Sequence, residues 1–292
     1  MTESRPGGVG WILIASAVLA ACGLMFLLMD WAERVLCADG RIALFTRVQL
    51  IENALVVGIL GAIGWRRRLW RMETLARVPR SAWLALMCGV IPAVLYIASL
   101  RMPAWVPWFG EHGWLEGTTP ILAIAAGSLF LCCAVRCRRK PPRDPAAVLA
   151  FAGLAAGAFF LAMEEIDWGQ VVFCWPTPEA VFSQNFQNVT NLHNFFNAVF
   201  PALYEVTGWA VAGALILSVA RVRRSIPWTG WRVLLPPLEL AGLAGLVFLF
   251  RFWHEVFEQQ FAWLLFFHAG MATGRAVSIS TFPMTQGREG PR

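Results

Sequence analysis

Residues 164–170 read Glu-Glu-Ile-Asp-Trp-Gly-Gln, and residues 188–194 read Asn-Val-Thr-Asn-Leu-His-Asn. An apolar run long enough to cross a bilayer precedes the first string, and another follows the second. The first string has three carboxylates within four positions. An ionisable side chain at membrane depth costs roughly 2.5 to 3.5 kcal/mol on insertion scales. We therefore interpret the two strings as parts of one polar site at the end of a helical bundle.

The composition is that of an integral membrane protein. Charged residues make up only 14% of the chain and hydrophobic residues 58%, whereas soluble domains have about 25% charged residues. Crossing roughly 30 Å of hydrocarbon takes about 20 mostly apolar helical residues. We expect an all-α fold, a polytopic bundle of about eight transmembrane helices with short interfacial helices in the outer loops. The expected spans are residues 9–30, 48–65, 82–100, 119–135, 146–165, 195–220, 233–250 and 255–273.

The sequence predicts one domain, with the whole chain 1–292 in the helical bundle and residues 274–292 as a short cytoplasmic tail. Two of the expected helices have a local start signal. Thr119 precedes Pro120 and Asp144 precedes Pro145, and each pair is an N-cap residue type followed by proline. Because proline suits the first helical position, helices are predicted to begin at these two points.

The distribution of basic residues predicts the orientation. Of the 24 Lys and Arg residues, 19 lie in the segments that share one side in this map and 5 on the other. Because basic residues remain on the cytoplasmic side, both termini are expected inside, in the inner membrane of a bacterium. The formal charge of +6 then reflects topology and contact with anionic lipid, and nucleic acid is not expected as a partner. Membrane lipids are the expected partners, and other membrane subunits are a further option.

The same map gathers most acids, and three of the four histidines, at the outer end of the bundle. Neighbouring carboxylates can act as an acid/base pair with separated pKa values, and amides suit sugar hydroxyls or phosphate groups. The candidate catalytic residues are Glu164, Glu165, Asp167, His193 and Glu258. The candidate substrate-binding residues are Trp168, Gln170, Asn188, Asn191 and Asn194. The alternative is a structural cluster in which the carboxylates accept backbone and amide hydrogen bonds, with Arg101 or Arg251 as charge partner.

A metal site is a second interpretation of the same end. His254 and Glu258 stand one helical turn apart on the face expected to look into the bundle. With His193 they would supply three ligands to a divalent metal such as zinc, and Glu164 or Glu165 could take the place of Glu258. No HExxH spacing supports this, so the cofactor is left open. His268 lies on the same stripe about 21 Å further along, and we expect it to be a histidine hydrogen-bonded between helices.

Aromatic residues accompany the polar strings. Trp168, Phe173 and Trp175 fall in one expected outer loop, and Trp105 and Trp108 in another. Tryptophan is enriched where a bilayer meets water, so these residues are interpreted as an interfacial belt. A groove for amphiphilic ligands is the alternative.

The first string, followed by Asn191-Leu192-His193-Asn194, resembles a motif of uncharacterised bacterial polytopic inner-membrane proteins. Their motif reads Glu-Glu-x-Ser-Trp-Gly-Gln-Arg with a later Asn-Leu-His-Asn. Here Asp167 stands in place of the serine and Val171 in place of the arginine. The resemblance covers about 35 of the 292 residues. It implies a multi-pass membrane protein and brings no known activity.

Three functional classes fit these patterns. The first is a membrane-embedded enzyme that acts on a lipid or lipid-linked substrate at the outer leaflet. The second is an accessory subunit whose polar face binds a partner, and the third is a proton-coupled transporter that uses Glu52, Glu205 and Glu258. A transporter should have its polar groups at the midplane between related halves. The sequence has them at one end and has no inverted repeat, which favours the enzyme.

Overall fold

The computed structural model describes residues 79–99, 102–105, 113–139, 144–177, 191–196, 199–219, 233–251 and 253–278, and single residues at 52, 55, 56, 58, 59, 108 and 179. The chain divides into two compact units, Met1–Arg77 and Val78–Arg292. In the first unit the five described residues are helical, and they fall within the expected span 48–65. The expected span 9–30 lies outside the described residues, and the single domain over 1–292 stays a prediction.

The described part of the second unit is all-helical and contains no strand, which confirms the all-α fold class there. Its helices are α1 Arg80–Ser99, α2 Trp114–Arg139, α3 Pro145–Glu165, α4 Gln170–Phe173, α5 Leu192–Phe195, α6 Phe200–Val219, α7 Ala241–Leu249 and α8 His254–Ser278. Three 3-10 turns, Pro103–Trp105, Asp167–Gly169 and Leu238–Leu240, lie between them.

Three of the described helices are long and apolar enough to cross a bilayer. They are Gly117–Arg139 within α2, Pro145–Glu165 and Phe200–Ser218 within α6. Two further apolar segments, Arg80–Tyr96 and Leu238–Leu249, are shorter. This pattern is that of a multi-pass membrane protein.

The two predicted helix starts have different outcomes. Asp144 caps α3 as expected, because its Oδ1 accepts a hydrogen bond of 3.0 Å from the backbone N–H of Ala147 and proline follows it. The start at Thr119 is wrong, since α2 begins at Trp114 and Pro120 lies inside it. A proline inside a helix removes one backbone hydrogen bond and crowds the carbonyl four residues back, and packing of α2 against α3 and α8 offsets this cost.

Helices α2 and α3 form an antiparallel pair. The ring centroids of Phe130 and Phe151 lie 6.2 Å apart, and a Cβ built on Gly127 would lie 3.0 Å from the ring of Phe159. As the residue number rises along α2, that of its neighbour on α3 falls. The C-terminal end of α3 therefore lies level with the N-terminal end of α2.

Helix α8 runs parallel to α2. Gln259 donates to the Thr118 hydroxyl at 3.3 Å, and the Cys133 sulfur lies 3.3 Å from the Thr273 hydroxyl. The core among α2, α3 and α8 consists mostly of buried small and aromatic side chains, including Ala126, Phe130, Ala155, Ala158 and Ala269. This arrangement brings the C-terminal end of α3 and the N-terminal end of α8 to the same end of the bundle.

Candidate functional site

The chain makes a left-handed turn directly after α3. Asp167, Trp168 and Gly169 have φ values of 49°, 54° and 96°. A residue other than glycine pays roughly 1–2 kcal/mol in this region, so the turn needs compensating contacts. One is the hydrogen bond of 2.6 Å from the Trp168 indole N–H to Glu164 Oε1. At Gly169 an added Cβ would also lie 3.1 Å from the Phe173 ring, which leaves glycine as the residue that fits.

Glu164 connects the two polar strings. Its Oε2 accepts a hydrogen bond of 2.8 Å from the backbone N–H of His193, and its Oε1 accepts one of 3.3 Å from Leu192. The neighbouring Asp167 accepts a hydrogen bond of 2.7 Å from the Asn191 side chain. The first string thus holds the N-terminal end of α5 through carboxylate acceptors. These contacts are of the kind proposed for a structural cluster, and they fix where His193 stands.

A second group of side chains joins α5, α6 and α8. The Tyr204 hydroxyl on α6 donates a short hydrogen bond to Glu258 Oε1 on α8, and it lies 3.4 Å from Nδ1 of His193. The His193 ring stacks on Phe200, with centroids 4.8 Å apart and an interplanar angle of 7°. The His254 ring lies 4.6 Å from the Tyr204 ring and 6.1 Å from that of His193. A carboxylate, a phenol and two imidazoles therefore meet at one point.

Both imidazoles are held toward the neutral form. Burial lowers the pKa of His193, and repulsion from His254 adds to this while Glu164 and Glu255 oppose it. Burial likewise lowers the pKa of His254, and Glu255 opposes that shift. A neutral imidazole can accept a proton at neutral pH. The two rings are thus suited to proton transfer.

Tyr204 was not among the sequence-predicted site residues. It is buried, and it is the residue through which Glu258 and His193 are connected. A signal existed, because the chain has 21 Phe and only 2 Tyr. A hydroxyl in a mostly apolar helix needs a hydrogen-bonding partner, which singles out a tyrosine there.

The other predicted residues are distributed around this centre. Glu165 lies within electrostatic range of the Tyr204 hydroxyl. Gln170 donates to the Thr177 hydroxyl at 2.8 Å and so stabilises the loop after the turn. Asn194 lies within α5, and Asn188 lies outside the described residues. The roles assigned to these side chains stay predictions.

Arg251, one of the two charge partners considered for the acidic string, forms an ion pair with a residue of α6. Arg251 is buried, and its Nε lies 2.9 Å from Glu205 Oε2. Its Nη1 donates to the carbonyl of Phe248 at 2.9 Å, and its guanidinium lies 4.1 Å from the centroid of that ring. This ion pair ties the end of α7 to α6. Arg101 lies outside the described residues.

Within the described residues, no group of three or more His, Cys, Asp and Glu side chains is arranged to hold a metal ion. The three proposed ligands all lie close to Tyr204, whose side chain contacts each of them: His193, His254 and Glu258. Metal ligation by these three residues stays a prediction. His268, expected between helices, is buried with its ring edge-on to Phe130 at 5.6 Å.

Comparisons of the chain with protein-family models, with curated proteins and with solved structures each give no match. The chemistry of the site therefore has to follow from its residues and their geometry.

Proposed function

We propose that this protein is a multi-pass membrane enzyme that uses acid/base chemistry on a lipid or lipid-linked substrate. The observation that carries the proposal is the Tyr204 hydroxyl, which bonds to Glu258 and faces Nδ1 of His193. Because the Tyr204 O–H donates its hydrogen bond to the carboxylate, the phenol oxygen can accept a hydrogen bond from an imidazole N–H. The side chains of His193 on α5, Tyr204 on α6 and Glu258 on α8 then form a hydrogen-bonded relay.

In this relay His193 is the proton-transferring group. Because the Tyr204 oxygen accepts a hydrogen bond from Nδ1–H of His193, it selects the His193 tautomer whose Nε2 is unprotonated. Glu164 and the Phe200 ring hold the His193 backbone and ring in place. His193 Nε2 removes a proton from a water or hydroxyl nucleophile, and Tyr204 and Glu258 stabilise the imidazolium that forms. The separation of 3.4 Å is long for a hydrogen bond, and catalytic contacts often shorten when substrate binds.

The setting of the relay supports a lipid as substrate. It lies at the end of α3, a helix long and apolar enough to cross a membrane. The turn and loop that follow carry three large exposed aromatic side chains, Trp168, Phe173 and Trp175. Aromatic residues of this kind concentrate where hydrocarbon meets headgroups. A substrate with a polar group and an acyl tail fits such a boundary.

The remaining parts of the proposal concern the whole chain. Eight spans with both termini inside, in a bacterial inner membrane, put the relay at the periplasmic end. The support is the asymmetry of 19 basic residues on one side against 5 on the other. Reporter fusions after residues 140 and 225 should read cytoplasmic, and one near residue 180 should read external. An external signal at 140 would overturn this orientation.

Removing single groups from the relay tests the activity. Lipids are extracted from membranes that contain the wild type, Tyr204→Phe, Glu258→Gln or no protein, and are compared by mass spectrometry. We expect at least one lipid to change with the wild type, and its rate of change to fall about 100-fold or more in both variants, because general acid/base groups contribute 10²–10⁴-fold.

Tyr96→Phe is the matched control, since it removes the hydroxyl of the second tyrosine, on α1. It should convert lipid as the wild type does. If no lipid changes with the wild type, or if both relay variants remain active, the enzyme proposal is wrong. The protein would then be better explained as an accessory subunit of a membrane complex.

A further inference from the structure

An apolar groove of about 470 Å³ runs along α3. Ala146, Gly153 and Gly157 line it on α3. Phe261 and Leu265 of α8, and Leu234 from the segment before α7, complete its walls. The groove is separate from the Tyr204 relay, and none of the polar contacts at that relay involves it.

The groove has room because α3 carries glycine where larger side chains would fill it. A Cβ added at Gly153 or Gly157 would meet no atom within 4 Å, and both residues are exposed. Only 28% of the membrane-crossing window of α3 is buried inside the protein. The lining of this surface is apolar, so an acyl chain is a molecule of matching polarity.

The depth of the groove matches one leaflet. From Ala146 to Ala158 the helix rises about 18 Å at 1.5 Å per residue, whereas half of the hydrocarbon core is about 15 Å thick. The groove begins at the N-terminal end of α3. It therefore lies in the leaflet on the side of the α2–α3 connection.

The end of the bundle where the groove begins carries exposed positive charge. The last turn of α2 carries Arg136, Arg138 and Arg139, and all three are exposed. The antiparallel contact of Phe130 with Phe151 places this turn level with the first turns of α3. Exposed arginines at a membrane surface attract anionic headgroups and can bind phosphate in bidentate fashion.

We propose that this groove binds one acyl chain of an anionic phospholipid whose headgroup is held by the arginines at the end of α2. In the orientation given above, this is a lipid of the cytoplasmic leaflet, where anionic lipids are abundant. The site is independent of the relay and of any reaction there. Its ligand is thus a bound lipid and not the substrate.

Photolabelling tests the site directly. The full-length protein is placed in nanodiscs containing phosphatidylglycerol, or phosphatidylcholine, with a photoreactive group in one acyl chain. Labelled residues are then mapped by mass spectrometry. We expect the phosphatidylglycerol probe to label residues 146–158 more strongly than the phosphatidylcholine probe does. Gly153→Leu and Gly157→Leu should remove most of that labelling, because leucine would occupy the groove.

Gly213→Leu is the matched control for these variants, since Gly213 also lies in an apolar helix where a new Cβ meets no atom within 4 Å. It should leave labelling of α3 unchanged. Replacement of Arg136, Arg138 and Arg139 by Gln tests the headgroup without altering the groove. Each replacement should reduce the preference for the anionic probe about fivefold.

Equal labelling of α3 by both probes would overturn the proposal, and so would labelling that the leucine variants leave intact. Should a leucine variant fail to fold, the arginine variants still decide the matter through the headgroup preference. None of these readouts depends on catalysis. The same labelling is expected in the Glu258→Gln protein, so failure of the enzyme proposal and failure of this one are distinguishable.

Discussion

At the scale of single residues, two carboxylates of the site differ in their hydrogen-bonding partners. Glu164 accepts hydrogen bonds from the Trp168 indole and from two backbone N–H groups. Glu258 instead bonds to a phenol that faces an imidazole. The adjacent acids in the first string attracted functional interest from the sequence. These contacts favour an architectural role for Glu164 and a chemical role for Glu258.

The lowered pKa of His193 predicts a loss of stability in acid. The unfolded chain binds the proton near the ordinary histidine value of about 6.5, whereas the folded protein binds it only at lower pH. The stabilisation that comes from neutral His193 should therefore be complete above that value. It should be lost as the pH falls from there through the lower pKa of the folded protein. His254, whose pKa is lowered in the same direction, should add to the loss.

Thermal melting in detergent between pH 8 and pH 5 measures this effect. His193→Gln removes one titrating group, so its melting temperature should depend less on pH than that of the wild type. Carboxylates that titrate in the same range are present in both proteins and cancel in the comparison. Identical pH dependence in the two proteins would show that His193 is not held in the neutral form.

At the scale of elements, local signals predict a helix end only when tertiary packing agrees with them. Asp144 and Pro145 begin α3 as expected, because the cap needs only a backbone N–H three residues away. Thr119 and Pro120 have the same pattern and lie inside α2. A proline in the second turn is tolerated there because the helix packs along its length against α3 and α8. The sequence alone does not contain that information.

The contact between α6 and Arg251 offers a test of packing at this scale. A Cβ added at Gly208 would lie 2.6 Å from Arg251 Cδ and 2.9 Å from its Cβ. Arg251 is buried and ion-paired, so it has little freedom to move away. Overpacking of this kind costs about 1–3 kcal/mol, which outweighs the gain of 0.5–1 kcal/mol from replacing a helical glycine.

Gly208→Ala should therefore lower the melting temperature. Gly213→Ala, on the same helix with no atom within 4 Å of the new Cβ, should raise it or leave it unchanged. Melting of the two variants in one detergent gives the comparison. Equal melting temperatures would mean that α6 does not pack on Arg251 as described.

At the scale of the whole molecule, composition alone predicted a helical membrane protein, because hydrophobic content and the length of apolar runs depend on no tertiary contact. The two polar strings could be placed at one site since they flank a single connection between apolar runs. The scarcity of tyrosine draws attention to Tyr204, but the sequence could not place it at this site. Its contact with Glu258 spans 54 positions and depends on how α6 and α8 pack. Those two residues give the site its proposed chemistry.

In the proposed site, Glu258 serves chemistry and Glu164 serves the fold. The most direct test is to compare Glu258→Gln with Glu164→Gln, measuring the melting temperature of each and its ability to complement a deletion of the gene. Glu258→Gln should melt within a few degrees of the wild type and fail to complement, because the amide keeps the shape but loses the basicity. Glu164→Gln should melt lower, since an amide is a weaker acceptor for three N–H donors. A Glu258→Gln protein that complements fully, or that fails only because it unfolds, would contradict the account.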